Sequence, residues 1–263
     1  MGSATTQALA ATTSALSAAS AVDLGVAREL FVAARTLGDS SQLSGALADS
    51  SAAPAARANV VSHVFGSSFQ PTTVSLLTTA VQQRWSSASD LVDGIEELGI
   101  RAAAIAEPGT DIDGELFGVL RTVAANPELE LALGSRLGDA SAKGALIETV
   151  LAGHTSEATT LIVSAAAQQP RERRVRQLLG RAMRLVAQQR GRTVATVIAA
   201  RPLGAAQTER LSAALAGRYG TEVSLNVVID PSVVGGVRIE IADDVIDASV
   251  ASRLHDLRQK LAG

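Results

Sequence analysis

The chain has 263 residues, enough for one or two domains with a substantial core. Apolar residues make up 47% but aromatics only 2%, so that core has to be built from Ala, Leu, Val and Ile, which favours closely packed helices. Cysteine is absent, excluding disulfides, thiolate metal sites and Cys nucleophiles, and the net charge of −3 conceals a polarity: the first 170 residues hold 8 basic and 17 acidic side chains, the remaining 93 hold 15 and 9.

Such polarity suits a body whose two ends meet different partners. No apolar run approaches the roughly 20 residues that span a bilayer. Met1 to Ser20 lacks the basic start and continuous apolar centre of a signal peptide, so a soluble, cytosolic chain is expected.

Residues 2–20 are low in complexity, with Leu9 and Leu16 on one face of a weakly amphipathic helix. A stronger signal follows. RELFVAARTLGDSSQLSGAL, residues 28–47, aligns without a gap on GELFGVLRTVAANPELELAL, residues 114–133, an offset of 86. The same offset carries Arg57 onto Lys143, Val60 and Val61 onto Leu146 and Ile147, and Val64 onto Val150; with a one-residue adjustment Leu76, Ala80 and Gln83 fall on Leu161, Ala165 and Gln168. Apolar residues recur at intervals of three and four in both stretches, which identifies a duplicated helical unit.

Between the copies a helix is expected from about Asp90 to Ala106, capped by Ser89 and stopped by Pro108-Gly109. Gly94 and Gly99 weaken it by ~1 kcal/mol each relative to Ala, so packing has to offset them. After Pro170 comes RERRVRQLLGRAMRLVAQQRGR. Val175, Leu178, Leu179, Ala182, Leu185 and Val186 share one helical face, with Arg173, Arg176, Arg181 and Arg184 mostly opposite, reading foremost as a solvated face.

The period then changes. Residues 193–199 and 223–229 read as strands, GVRIEIA from Gly236 alternates strictly, and an amphipathic helix from about Ala205 to Tyr219, ended by Gly220, separates the first two. A closing helix is expected from about Ser249 to Leu261. The fold class is therefore α+β, predominantly α: a helical bundle containing a duplicated unit, then a small α/β domain with a short sheet. The expected divisions are 1–88, 89–190 and 191–263.

No catalytic centre assembles from this order. PSVVGG lacks the spacing and the strand-to-helix transition of a phosphate loop, so Gly235 and Gly236 read as relief of crowding in a turn or bulge. Asp230, Asp243, Asp244 and Asp247 do not follow calcium-loop spacing; Asp243 and Asp244 suit a turn and Asp247 a helix cap. His63, His154 and His255 are too dispersed for a metal cluster: the first two are placed in loops after repeat helices, the third near Ser252 on the closing helix. Trp85 and Tyr219 read first as core residues.

The stretch from Val197 to Leu261 resembles the C-terminal region of the delta subunit of bacterial F-type ATP synthases, which is similar to the mitochondrial oligomycin-sensitivity-conferring subunit. The matching elements are Asp230-Pro231, Val233-Val234-Gly235-Gly236, the strand Val237 to Ile241, Ala242-Asp243, and Ile246-Asp247-Ala248-Ser249. Ala242 and Ala248 stand where the family usually has glycine, a departure that strains either turn if it needs φ > 0. NPELELAL, residues 126–133, resembles the family's helical domain, and the usual family regions cover about residues 89–263. Residues 1–88 exceed the common form, which makes the chain resemble the long, unfused delta subunits of high-G+C Gram-positive bacteria.

The resemblance implies a non-catalytic stator subunit, without cofactor or metal, present once in a hetero-oligomeric complex. It implies a peripheral position on the cytoplasmic side of the cell membrane, with no membrane insertion and no nucleic acid. The helical domain is expected to bind N-terminal segments of alpha subunits through residues among Leu116, Val119, Val123, Leu129, Leu133, Ile147 and Leu151. The C-terminal domain is expected to hold the b subunit of the stalk, with Val233, Val234, Arg238, Ile246, Leu254 and Leu257 at the contact or beneath it. A scaffold of another helical assembly is the alternative, followed by a nucleic-acid-binding adaptor using Arg171 to Arg192.

Overall fold

The two hydrophobic periods resolve into helices and a small sheet in the computed structural model, which describes residues 2–135, 138–171, 173–241, 244–250, 254 and 258. Chain contacts separate two units, Met1–Leu185 and Val186–Gly263.

The first unit is helical. After α1 (Ser3–Ala18), the first copy contributes α2 (Leu24–Asp39), α3 (Ser41–Ala48), α4 (Pro54–Phe65) and α5 (Pro71–Gln82). Helix α6 (Ala88–Ala106) follows, and the second copy contributes α7 (Ile112–Ala125), α8 (Pro127–Gly134), α9 (Ala140–Leu151) and α10 (Glu157–Gln168). The copies agree closely: α2 and α7 have 16 and 14 residues, α3 and α8 have 8 each, and α4, α5, α9 and α10 have 12 each. Aspartate caps open both, with Asp23 accepting from Val26 N and Asp111 from Gly114 N.

Helix α6 lies at the centre and packs on α1, on α2, α3 and α5 from the first copy and on α10 from the second. Its buried residues are distributed around the whole circumference, as a core helix requires. Gly94 fits that position because a Cβ there would stand 2.2 Å from Cη2 of Trp85, whose indole donates Nε1–H to Ala80 O at 2.8 Å. The cap is Ser87, whose hydroxyl accepts from Asp90 N; Ser89, the expected cap, is already helical. Trp85 is only 6% exposed, so its reading as a core residue holds.

The arginine-rich stretch differs more from its expected form. Helix α11 (Val175–Gln189) begins only at Val175 and, as anticipated, buries Val175, Leu178, Leu179 and Ala182. Its cations are not simply solvated. Arg181 reaches Glu97 at 3.1 Å, Arg176 reaches Glu130 at 2.8 Å, and Arg171 and Arg173, just before the helix, reach Asp93 at 2.6 and 2.5 Å. Asp93, Glu96 and Glu97 form one acidic stripe on α6, so the charge polarity seen along the sequence is partly neutralised inside this unit.

The second unit is a four-stranded sheet in the order β2-β1-β3-β4, formed by β1 (Arg192–Ala199), β2 (Glu222–Ile229), β3 (Val237–Ile241) and β4 (Asp244–Asp247). Strands β1 and β2 are parallel and joined through α12 (Ala205–Tyr219), the crossover that a parallel pair needs. Gly220 ends that helix in the left-handed region, at φ 72°. β3 is antiparallel to both β1 and β4. Ala195, Val197, Leu215, Val223, Ile239 and Ile241 form the core, with Tyr219 packed against it and donating its hydroxyl to Asp244 at 2.8 Å.

Asp244, expected in a turn, is instead the first residue of β4, where it pairs with Ile241. Asp243, Ala242, Leu257, His255, Ser252 and most of the expected closing helix lie outside the described residues.

Candidate functional site

The second copy is built around a carboxylate. From α7, Oε2 of Glu115 accepts three hydrogen bonds at the start of α10: from Ser156 N at 3.0 Å, Ser156 Oγ at 2.6 Å and Thr159 Oγ1 at 2.5 Å. A negative charge at a helix N-terminus is favoured by the free N–H groups and the helix dipole. Burial pushes the Glu115 carboxyl up, but the Ser156 hydroxyl, the Thr159 hydroxyl and the Ser156 N–H outweigh it, leaving the group below its ordinary value.

The first copy repeats the device with Glu29, which accepts from Gln70 N at 2.9 Å and Thr73 Oγ1 at 2.5 Å. Glu29 to Glu115, Gln70 to Ser156 and Thr73 to Thr159 all keep the offset of 86 residues. The hydrogen bonds therefore place α5 on α10 without the one-residue adjustment suggested by Leu76 and Leu161; Leu76 corresponds to Ile162, and both are buried.

With α10 clamped to α7, helices α7, α8 and α9 leave an apolar groove of about 470 Å³. Six of the seven expected contact residues line it: Val119, Val123, Leu129, Leu133, Ile147 and Leu151. Leu116 does not, because it faces inward on α7 and is fully buried. Leu146 and Val150, both 59% exposed, complete one wall, and Gly118, His154 and Thr155 also line the groove. Sequence reasoning used Leu146 and Val150 only as repeat partners. Their signal was present: α9 is apolar at Leu146, Ile147, Val150 and Leu151, a face wider than one buried side of a helix needs.

In the other unit the aspartates fasten turns. Asp230 Oδ1 accepts from Ser232 N, and Asp247 Oδ1 from Ser249 N, both at 2.9 Å. Each carboxyl lies below its ordinary value, chiefly through the hydroxyl of that serine and then its N–H. Pro231 follows Asp230 within the first turn, and Gly235 and Gly236 take φ of 149° and 78°. At Gly236 a Cβ would stand 2.4 Å from Ala248 O, so the double glycine serves a close backbone crossing. Ala248 is not at positive φ, and its alanine is unstrained on that account.

Of the expected stalk residues, Val234 is 80% and Leu254 54% exposed, Arg238 points outward beside Glu240, Val233 is half-buried, and Ile246 packs on the sheet core. They do not form a single described groove. His63 lies within α4, not after it, with Nδ1 2.7 Å from Asn59 O; His154 follows α9 as expected. Among the described residues, no group of three His, Asp or Glu could hold a metal ion, and no helix is long and apolar enough to cross a membrane.

A duplicated helical bundle with an apolar groove in its second copy, joined to a sheet unit stiffened by Asx turns, has the make-up of a binding protein that works through surfaces. The sequence profile described as ATP synthase delta (OSCP) subunit matches residues 100–261. Over the full length of both chains, the protein is 48% identical to ATP synthase subunit delta of Leifsonia xyli subsp. xyli. It is 37% identical to the subunit delta of Streptomyces avermitilis, over 94% of this chain and 93% of that one, and 36% identical to that of Thermobifida fusca, over 89% of each. The chain belongs to the ATP synthase delta (OSCP) subunit family, and its role is that of a stator subunit in the peripheral stalk of the complex.

Proposed function

We propose that the groove of the second copy receives an apolar helix from the N-terminal segment of an alpha subunit, while the sheet unit holds the b subunit of the stalk. The carrying observation is the groove itself: six residues expected from sequence to meet the head converge on it, and Leu146 and Val150 present bare apolar surface on its wall. Helix-in-groove recognition suits this shape, since an amphipathic helix presents anchors at intervals of three and four to an apolar trough.

The role is mechanical. A rotor turning against the catalytic head drags the head with it unless a stationary connection resists, and closely packed Ala- and Leu-rich helices transmit such a load with little compliance. The subunit performs no bond chemistry and needs no cofactor. It stands once in the complex, peripheral to the cytoplasmic side of the cell membrane, and holds through two linked contacts whose effective concentrations support each other.

Against the nucleic-acid reading stands the engagement of Arg171, Arg173, Arg176 and Arg181 by Asp93, Glu96, Glu97 and Glu130. Calorimetry of the full chain tests the proposal, first with head subcomplexes carrying intact or truncated alpha N-termini, then with the soluble C-terminal part of the b subunit. Two saturable bindings, the first lost on truncation, are expected. Absence of both from the folded chain overturns it.

A further inference from the structure

The sheet of the second unit has two edges, and they differ in how they are protected. At one end of the order β2-β1-β3-β4, β4 has 4 residues and carries an aspartate at each terminus, Asp244 and Asp247. Shortness and charge are the devices by which natural sheets keep an edge from pairing. At the other end β2 has 8 residues, and from Val223 to Ile229 it contains no charged residue, proline or glycine. Among the described residues no strand pairs with its outer side.

The register shows what that outer side presents. Asp230 N donates to Ala199 O at 2.9 Å, and Ala199 is the register partner of Ile229, so the even-numbered residues of β2 turn their N–H and C=O groups to β1. The alternation of an extended chain then turns those of Val223, Leu225, Val227 and Ile229 to the edge. At Val223 the carbonyl is already engaged, accepting from Ser212 Oγ of α12 at 3.0 Å. The main-chain groups of Leu225, Val227 and Ile229 remain as a ladder, with the Leu225 and Val227 side chains packed on the sheet core and Ile229 40% exposed.

We infer that β2 is an interaction edge: in the assembled complex a neighbouring chain adds an extended, uncharged segment to it, with apolar residues at alternate positions beside Leu225 and Val227. Backbone chemistry selects this occupant. Donors and acceptors that recur at every second residue are matched by another strand, whereas a helix has spent its own main-chain groups internally. The uncharged sequence of β2 selects the segment's composition, because cross-strand neighbours contribute through apolar and β-branched pairs. A subunit that works inside an assembly can keep such an edge unguarded, since assembly covers it. The inference rests on membership of that assembly and not on the groove of the helical unit.

Amide hydrogen exchange tests it by comparing the free full-length chain with the chain in the intact ATP synthase complex. In the free chain the amides of Leu225, Val227 and Ile229 are expected to exchange about tenfold faster, or more, than those of Ser224, Asn226 and Val228, which face β1. On assembly the first three slow by about tenfold or more. Val227→Pro removes an outward N–H and no bond to β1, a position where a strand tolerates proline, so the variant is expected to fold and to be retained in the complex about fivefold less well. Val227→Ile keeps the N–H and is retained as the unmodified chain is.

Unchanged exchange of the three amides on assembly overturns the inference and leaves the stator role in place. Slow exchange of all three already in the free chain means that the chain itself or a second copy covers the edge, and overturns it equally. A folded Val227→Pro chain retained as well as the unmodified one does the same. Should that variant not fold, the exchange comparison decides alone.

Discussion

Thr159 donates its hydroxyl to Glu115 at 2.5 Å, and this bond, with the two from Ser156, fixes the helix that floors the groove to the helix that walls it. Because the folded state holds this carboxyl below its ordinary value, the sign of its contribution is set. The stabilisation is present above the unfolded value, near 4.3 for a glutamate, and is lost as pH falls through the lower folded value. Glu115→Gln is therefore expected to cost about 1–3 kcal/mol at neutral pH, the range for hydrogen bonds to a charged acceptor. It should also flatten the acid limb of the stability profile. Urea unfolding at several pH values, followed through Trp85, measures both; an unchanged acid limb would show that the clasp does not titrate with folding.

The groove wall gives a second expectation. Leu146 and Val150 are more than half exposed, so changing either to Glu removes little folded-state packing and alters stability by about 0.5 kcal/mol or less. In a desolvated helix-in-groove contact, the same change buries an unpaired charge and should weaken binding of the alpha segment by about 2 kcal/mol or more. Calorimetry beside thermal unfolding separates the two effects. Loss of stability in step with loss of binding would mean that these side chains support the bundle instead of forming a contact.

The clasp and the groove were legible in sequence to different degrees. Glu29 and Glu115 lie inside the ungapped repeat, but a carboxylate inside a repeat does not announce which helix end it meets; Thr73 and Thr159 become significant only when the helices are brought together. Period and spacing placed α12, β3 and the pleat of Ile239 and Ile241 against Arg238 and Glu240, because local alternation decides them. β4 was missed because its four residues are short and acidic, and their strand character comes from pairing with β3. The arginines of α11 were read as solvated because their partners, Asp93, Glu96 and Glu97, lie about 80 residues upstream and become neighbours only in the fold.

That ion-pair stripe is expected to behave as a unit. The Glu96 and Glu97 side chains are 9% and 8% exposed, so removing Arg181 leaves nearly buried carboxylates with fewer partners. Arg181→Met should cost about 1–3 kcal/mol, below the 3–5 kcal/mol of a fully buried broken pair, since Arg171 and Arg101 still engage Glu96 and Glu97. Adding Glu97→Gln should cost less than the sum of the single changes. Denaturant unfolding of the two single variants and the double gives the coupling; strict additivity would mean that Arg181 and Glu97 act independently.

In the sheet unit the test is steric. Gly236 combines φ of 78° with a carbonyl, that of Ala248, 2.4 Å from where a Cβ would lie, and the obstacle is backbone that cannot rotate aside. Around the crossing, Ala248 N donates to Val237 O and Val250 N to Gly235 O, both at 2.9 Å, so shifting one strand to admit a methyl group disturbs both bonds. Gly236→Ala is expected to destabilise this unit by about 2–4 kcal/mol, combining left-handed strain with displaced hydrogen bonds. Gly220→Ala, with φ 72° and nothing within 4 Å of the new Cβ, carries only the conformational part, about 1–2 kcal/mol. Amide hydrogen exchange compares the two within one molecule. Faster exchange in β1–β3 is expected for both variants, with the larger effect at Gly236, and the proposed b-subunit contact should weaken in the same order. Equal effects at the two glycines would assign the cost to backbone angle alone and remove the crossing as the reason for the double glycine.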